Sequence, residues 1–509
     1  MESIWRKQTE EIKPEKGVPS SKVQDTQWDV IVVGAGMTGL LTAYYLKERG
    51  KKVLVLEADR IASGQTERTT AKITSQHNLK YSKLIQTLGM KKANMYAQAN
   101  EAAIREYEWL IKKCGIDCQF ERVPAYLYTL KGAEALEKEA EAASHLGIKT
   151  YLTDQTELPF PVKAALCFRN QAQFSPLQFI NYLAAVLEIW EHTKVIDVKG
   201  EQVLAEKVAW AAGKNSSAEA KAAMTGDKTS PAKEKIVLTA EHIVLATHYP
   251  LKNIPGFYFL RQHQERSYVL ALSGCKKITG MYYGIDEDGL SVRYAGDYLL
   301  LGGSSHRTGE NEIGGTYAFL EKSAAQYFPG SKVEARWSAQ DCMPHDGIPF
   351  IGRYSIFTPH LYVATGFQKW GMTSAMIAAM IVRDKLCGVD NPYAKLFRPQ
   401  RLNLRASIGN LIVDVGMSVK GLTKGLLHRP GHTVASLQPG HGGIVTVDGK
   451  RYACYRDEEG ELHRISARCP HMGCELAWNP DEKSWDCPCH GSRFDVDGKL
   501  LDNPAKRDA

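Results

Sequence analysis

The sequence predicts an α/β domain with an interleaved α+β subdomain, followed by a small all-β domain, in a chain of 509 residues. The α/β part is indicated by a glycine turn that joins an apolar strand, Asp29 to Val33, to a helix ending near Arg49. Strand-rich, Gly-punctuated sequence over residues 257–305 indicates an antiparallel sheet. From about residue 432 short strands alternate with Gly-rich turns, which is typical of a small β domain.

These patterns divide the chain into four segments. They are a polar leader (1–27), the α/β domain (28–399, with the interleaved subdomain at roughly 81–165 and 256–335), a basic connector (400–431) and the β domain (432–509). Residues 213–235 are rich in Ala, Ser and Lys, and strands flank them at 202–210 and 235–238. We expect a hairpin there with a long surface excursion at its tip.

The composition is that of an ordinary globular protein, with 44% apolar and 24% charged residues. The net charge of +7 is spread along the chain, so the sequence predicts no nucleic-acid partner. The densest basic stretch, Arg398 to Arg405, favours a solvated linker over a site for an anionic partner. No signal peptide and no apolar run near the ~18 residues of a membrane helix is visible, so we expect a cytoplasmic protein without a transmembrane segment.

The first glycine turn carries a dinucleotide-binding pattern. Gly34 makes the tight turn, Gly36 lets the backbone approach a pyrophosphate, and Gly39 lets helix and strand pack closely. The helix N-terminus stabilises diphosphate charge, and Glu57 at the end of the second strand can bind an adenosine ribose. The pattern predicts a Rossmann-like fold but leaves FAD and NAD both open.

Two further segments distinguish the cofactors. The run Ser63 to Thr70 (SGQTERTT) and the late runs DGIPFIG (346–352) and GFQKWGMT (366–373) resemble the D-amino-acid oxidase and glycine oxidase superfamily of FAD enzymes, over roughly residues 28–390. The resemblance implies that FAD contacts residues of both segments, namely Arg68, Thr69, Thr70, Gly366, Gly371, Met372 and Thr373. It also implies that the late turn opens a helix pointing at the flavin, where its dipole stabilises an anionic reduced ring.

The substrate side is poorly marked in the sequence. The candidates for catalysis are Lys369, His306 and Arg266, with Tyr268 and Arg307 beside them, and for each a structural role is the simpler reading. Oxidation in this superfamily often needs no side-chain base, so the absence of a recognisable catalytic triad does not argue against such an activity.

Three further residues are weighed near the flavin. Gln76 and His77 end the run RTTAKITSQH and are expected to line the cofactor. Some sarcosine-oxidase-like relatives carry a cysteine thioether to the flavin near the position of Cys342. The spacing in this chain does not match, so we expect a buried free thiol there.

The C-terminal sequence contains two short Cys/His loops. Cys469-x-His471 and Cys487-x-x-His490 are separated by fifteen residues. A mixed-ligand [2Fe–2S] centre needs two thiolates on one iron and two imidazoles on the other, which these loops supply. A Cys₂His₂ zinc site is the alternative, but it leaves Cys474 and Cys489 unexplained.

The full pattern resembles the Rieske proteins of cytochrome bc type. The resemblance implies a disulfide between Cys474 and Cys489 and a hydrogen bond from Ser492 to a cluster sulfur. Phe494 stands where high-potential members carry a tyrosine, so that hydroxyl is missing here.

Together the two halves resemble bacterial FAD-dependent oxidoreductases with a C-terminal Rieske domain. The resemblance implies that FAD oxidises a small substrate, an amine or amino acid, and that the cluster passes single electrons to an external acceptor. Two alternatives stay open. Electrons could enter at the cluster and drive a reduction, or the protein could be a redox-sensing adaptor without turnover.

Overall fold

The computed structural model describes residues 2–17, 26–208, 233–427 and 433–509. Most of the excursion at 213–235 and parts of the leader and connector lie outside these residues. The helices are Ile4–Gln8, Met37–Lys47, Gln65–Arg68, Tyr81–Leu88, Met90–Cys114, Glu134–His145, Pro176–Ala185, Thr316–Tyr327, Gly371–Leu386, Ala394–Phe397 and Leu404–Leu427, with 3₁₀ turns at Tyr258–Leu260 and Val434–Ser436.

The α/β domain is built on an eight-stranded sheet. Its strands are, in spatial order, Phe350–Arg353, Leu361–Thr365, Lys233–Leu245, Gln27–Val33, Val53–Leu56 and Ile189–Trp190. Gln202–Val208 is added antiparallel to the third of these, and Thr193–Lys199 pairs antiparallel with Gln202–Val208. The four central strands run parallel, so their carboxyl ends meet at one edge. The pairing of Gln202–Val208 with Lys233–Leu245 is the expected hairpin.

A nine-stranded sheet forms the interleaved subdomain. Its strands are, in order, Lys332–Pro344, Gln262–Ser273, Tyr298–Arg307, Ser291–Ala295, Met281–Gly284, Glu121–Thr129, Ala164–Gln173 and Lys72–Ile73, with Thr150–Thr153 beside the seventh. The C-terminal domain has two small antiparallel sheets, formed by His441–Val447, Lys450–Arg456 and Leu462–Ser466, and by Ala477–Asn479, Ser484–Asp486, Arg493–Phe494 and Leu500–Asp502. The predicted fold class is confirmed.

The structure adds three local features to these expectations. The predicted polar leader contains the helix Ile4–Gln8, and Ile4 and Trp5 are buried in the core. The pair Ser175-Pro176 predicts a helix through about Trp190, but the helix ends at Ala185, because Ile189–Trp190 pairs with the parallel sheet instead. The basic connector contains a helix, Leu404–Leu427, which we call the linker helix. Within the described ranges, no helix has the length and apolar character needed to cross a membrane.

Candidate functional site

The first glycine turn has the geometry of a close-packed nucleotide-binding turn. Gly34 has φ +107°, and a Cβ there would lie 2.6 Å from the carbonyl oxygen of Ala246. A Cβ on Gly39 would collide with the carbonyl of Gly34. The hydroxyl of Thr66 accepts a hydrogen bond from the amide of Met37 at 2.9 Å, so the run Ser63 to Thr70 reaches the start of the helix. Backbone that only glycine can form thus lies at the helix N-terminus, which suits a diphosphate.

Glu57 lies beside this turn, directly after the strand Val53–Leu56. Its carboxylate accepts hydrogen bonds from the amides of Ala35, at 2.7 Å, and Asp59, at 3.0 Å. Burial raises the pKa of Glu57. The two amide bonds fix the carboxylate against the turn, where it can meet a ribose hydroxyl.

Two indoles hold the segment with Arg68, Thr69 and Thr70. The carbonyl of Thr69 accepts a hydrogen bond from the Trp5 indole at 2.8 Å, and that of Arg68 accepts one from the Trp337 indole at 2.9 Å. The N-terminal helix therefore supports a segment that we expect to contact FAD. No sequence signal marks this contact, because Trp5 lies in an otherwise polar stretch.

The late glycine turn lies at the same edge of the parallel sheet as the first. It follows the strand Leu361–Thr365, has Gly366 at φ +76°, and opens the helix Gly371–Leu386. The carbonyl of Met372 accepts a hydrogen bond from Tyr107 at 3.0 Å, and Thr373 donates to the carbonyl of Thr74 at 3.2 Å. The fold thus brings both predicted FAD segments to one edge.

His77 packs against this turn. Its ring stacks on Trp370 with centroids 4.7 Å apart, and its nitrogens contact the Tyr96 hydroxyl and the Thr74 carbonyl, each at 2.7 Å. Burial lowers the pKa of His77 well below its usual value, so the ring is neutral. Gln76 is buried beside it.

A charged cluster that the sequence did not reveal joins the late turn to the nine-stranded sheet. Glu265 and Asp341 are direct neighbours across antiparallel strands. Lys369 Nζ lies 3.3 Å from Glu265 and 2.6 Å from the hydroxyl of Ser305. Burial, together with the charge of Glu265, raises the pKa of Asp341 to about 7. Although burial opposes it, the hydrogen bond with His263 and the charge of Lys369 lower the pKa of Glu265 to about 2. Two neighbouring carboxyl groups with separated pKa values can divide proton donor and acceptor roles.

The candidates for catalysis are placed differently from one another. Lys369 lies in the late turn and is the one of the three that belongs to this charged cluster. His306 contacts the Tyr268 hydroxyl at 2.9 Å and the carbonyl of Arg307. Arg266 is fully buried and pairs with Glu482 of the C-terminal domain at 2.9 Å, which argues for a structural role.

Cys342 is buried, and its sulfur lies 3.4 Å from Nε2 of His248. Burial raises the pKa of the Cys342 thiol well above its usual value. An uncharged thiol in this setting is a poor nucleophile, which agrees with the expectation of a free cysteine.

The four proposed cluster ligands converge in the core of the C-terminal domain. The rings of His471 and His490 lie 4.9 Å apart at 87°. Burial lowers the pKa of His471 to about 4 and, with the nearby His471 ring, that of His490 to about 3. The hydrogen bond between the two cysteine side chains lowers the pKa of Cys469 to about 7 and raises that of Cys487 well above its usual value, so Cys487 keeps its proton. Neutral imidazoles beside paired sulfurs are the donor set that a mixed-ligand cluster requires.

Two orphaned atoms test this fit. Among the described residues, Nδ1 of His471 and Nδ1 of His490 are buried and have no hydrogen-bond partner. A buried polar atom left unpaired is costly, and an iron ligated at each nitrogen would remove that cost. The residues present therefore fit a [2Fe–2S] cluster.

The surroundings of the two loops match the resemblance in two ways, and they include the residue at which this chain departs from it. Cys474 and Cys489 form a disulfide between the loops. Ser492 is fully buried, hydrogen-bonds the Cys469 thiol and accepts from the amide of Ala505 at 2.9 Å. Phe494 is fully buried in the same apolar core.

Hydrogen bonds from the α/β domain hold the second cluster loop directly. Gln264 donates to the carbonyl of His490 at 2.8 Å, and Gln340 donates to that of Gly491 at 2.8 Å. On the first loop, the Asn253 amide lies 3.0 Å from Nε2 of His471. No sequence signal marks these residues, because each is defined by a partner more than 150 positions away.

Comparisons with known proteins agree with this geometry. Residues 29–385 match the family described as FAD dependent oxidoreductase, and residues 432–508 match the Rieske [2Fe-2S] domain. The chain is 37% identical over 492 residues to a putative Rieske 2Fe-2S iron-sulfur protein, YhfW, of Bacillus subtilis, covering 95% of this chain and 92% of that protein.

Solved structures resemble the N-terminal part. Glycine oxidase from Geobacillus kaustophilus superposes with a TM-score of 0.57 at 17% identity, over 74% of this chain and 99% of that one. L-proline dehydrogenase from P. horikoshii gives a TM-score of 0.57 at 16% identity, over 74% and 97% of the two chains. These identities show the fold alone. The chain is thus a member of the FAD dependent oxidoreductase family that carries a C-terminal Rieske [2Fe-2S] domain.

Proposed function

We propose that this oxidoreductase removes two electrons from a small amine or amino acid at its FAD domain and passes them singly through the cluster to an external one-electron acceptor. FAD supplies a two-electron acceptor, and a [2Fe–2S] cluster supplies a one-electron carrier. Cys469, His471, Cys487 and His490 hold the cluster, while the two glycine turns and Glu57 hold FAD.

The observation that carries this proposal is the contact between the two cofactor regions. Gln264 and Gln340 lie on the adjacent strands that also carry Glu265 and Asp341, and both donate to the second cluster loop. The second iron–sulfur ligand loop and the charged side chains at the late turn therefore contact the same pair of strands. This placement supports electron transfer within one chain, without movement of the C-terminal domain.

An anaerobic panel of amines and amino acids tests the proposal, with flavin absorbance and cluster EPR followed together. We expect one class of compound to bleach the flavin and then to produce the reduced-cluster signal. Bleaching only by reductants of the cluster would reverse the direction of electron flow. Bleaching by neither would leave an adaptor without turnover, and both of these outcomes contradict the proposal.

A further inference from the structure

The linker helix exposes a continuous apolar stripe. Its members follow one another at spacings of four and three residues, and 44–67% of each is exposed: Ile408, Ile412, Val415, Val419 and Leu422. This spacing places all five on one side of an α-helix. A helix packed on a folded protein normally turns such a stripe inward, so an outward stripe marks an interaction surface.

The opposite side of the helix is firmly attached to the protein. Asp414 forms an ion pair with Arg307, contacts His345 at 2.5 Å and contacts His263 at 3.2 Å. Asn410 donates to the carbonyl of His345 at 2.7 Å. These contacts fix the rotation of the helix, so the stripe faces outward because of the fold.

The exposed apolar surface continues toward the cluster. The turn Tyr258–Leu260 packs against the linker helix, and its neighbourhood exposes Phe257 at 44% and Leu260 at 49%. Met472, directly after the proposed ligand His471, is 48% exposed. The linker helix itself packs closely on these loops, because a Cβ on Gly421 would lie 2.6 Å from the sulfur of Cys489. The stripe therefore adjoins the cluster loops.

The charge along this part of the chain is one-sided. Between residues 391 and 447 there are seven Lys and Arg residues, and Asp414 is the single acidic residue. Asp414 points inward, and Arg401 is buried against Asp346. The exposed cations of this segment include Lys395, Arg398, Arg405 and Lys420.

The excess of positive charge favours one of the possible binding partners of the stripe over another. The 4–3 spacing would also suit a coiled coil with a second copy, but a second copy would bring the same cations to the contact. An anionic lipid surface is attracted to the cations and accepts the apolar stripe at its interface.

We propose that the linker helix binds the surface of an anionic bilayer, with its apolar stripe in the headgroup region and the cluster loops close to the membrane. The binding is peripheral, because the opposite side of the helix remains on the protein. Membrane binding of this kind is compatible with any substrate class, and it gives the connector a role beyond that of a solvated linker.

Flotation of the purified holoprotein with vesicles tests the proposal. The vesicles are phosphatidylglycerol and phosphatidylcholine in equal parts, or phosphatidylcholine alone. We expect binding to the anionic vesicles only, and its loss in high salt. The double variant Ile408→Ser, Ile412→Ser should bind roughly ten-fold more weakly, since about two apolar side chains no longer enter the interface. Arg405→Gln should weaken binding by a smaller factor, about three-fold.

The matched control is Ile313→Ser, which changes an isoleucine that is 98% exposed elsewhere. It should bind as the unaltered protein does, and all variants should keep their FAD and iron content. Equal binding to both vesicle types, or none to either, would overturn the proposal. So would a lipid-free dimer that the double variant converts to a monomer, because a second copy would then cover the stripe.

Discussion

The two cofactor regions of this molecule are built in opposite ways. The nucleotide-binding turn uses neighbouring residues of one strand, turn and helix, with Gly34 and Gly39 five positions apart. The proposed cluster site uses two loops joined by a disulfide across 15 residues and by hydrogen bonds from Gln264 and Gln340 of another domain. The first region depends on local backbone geometry, whereas the second depends on contacts between distant segments. Changes at the cluster should therefore spare FAD, and contacts between the domains should matter most to the cluster.

The largest effect is expected from removing a proposed iron ligand. His490→Ala should abolish the rhombic EPR signal of the reduced mixed-ligand cluster, because one iron loses an imidazole. FAD absorbance should be retained. A retained signal would refute the ligand assignment. Loss of FAD together with the signal would contradict the expectation that changes at the cluster leave FAD binding intact.

The next effect concerns the ion pair between the domains. Glu482 accepts hydrogen bonds from Arg266 and Tyr317, each at 2.9 Å, and from Ser338 at 2.6 Å. Glu482→Gln leaves the fully buried Arg266 with a weakened counter-charge, so we expect a loss of about 3 kcal/mol in the free energy of unfolding. Urea unfolding measures it. Glu321→Gln is the control, since its pair with Arg336 is nearly half exposed on both sides and should show no measurable change.

The free energy of unfolding should depend on pH through Asp341, which lies at the junction between the two regions. Its folded-state pKa of about 7 lies above the ordinary carboxyl value, so the folded protein binds this proton more tightly than the unfolded chain. This group therefore stabilises the fold below about pH 4, and its contribution falls as pH rises toward 7, by at most about 4 kcal/mol. Asp341→Asn should flatten the decline in the free energy of unfolding between pH 5 and 7. An unchanged slope would show that Asp341 titrates normally.

The smallest effect concerns the tuning of the cluster. Rieske potentials span roughly −150 to +300 mV, and hydrogen bonds to the sulfurs raise them. Ser492 supplies one hydroxyl, whereas Phe494 supplies none. We expect a potential in the middle of this range. Phe494→Tyr should raise it by tens of millivolts, or about 1 kcal/mol, if the hydroxyl reaches a ligand sulfur. Voltammetry of the holoprotein measures both values, and a downward shift would contradict this reasoning.

Much of the fold was predictable because its signals are local. The glycine pattern after Val33, the helix after Gly371 and the two Cys/His loops each occupy a few consecutive residues. Predictions failed where a neighbour in space overrode the local pattern. Residues Ile189–Trp190 follow a helix but complete a parallel sheet, and Trp5 lies in a polar segment but donates to Thr69.

The sequence by itself determined the two domain types, and it predicted the glycine turn proposed for FAD and the proposed donor set of the cluster, because backbone geometry and ligand chemistry restrict which residue types can serve. Only the tertiary structure decided that Arg266 belongs to the contact between the domains, that Glu265 lies beside Asp341, and that the stripe of the linker helix faces outward. Each of these facts depends on a partner far away in the chain. The free energy of such a contact arises only when folding brings both partners out of water together.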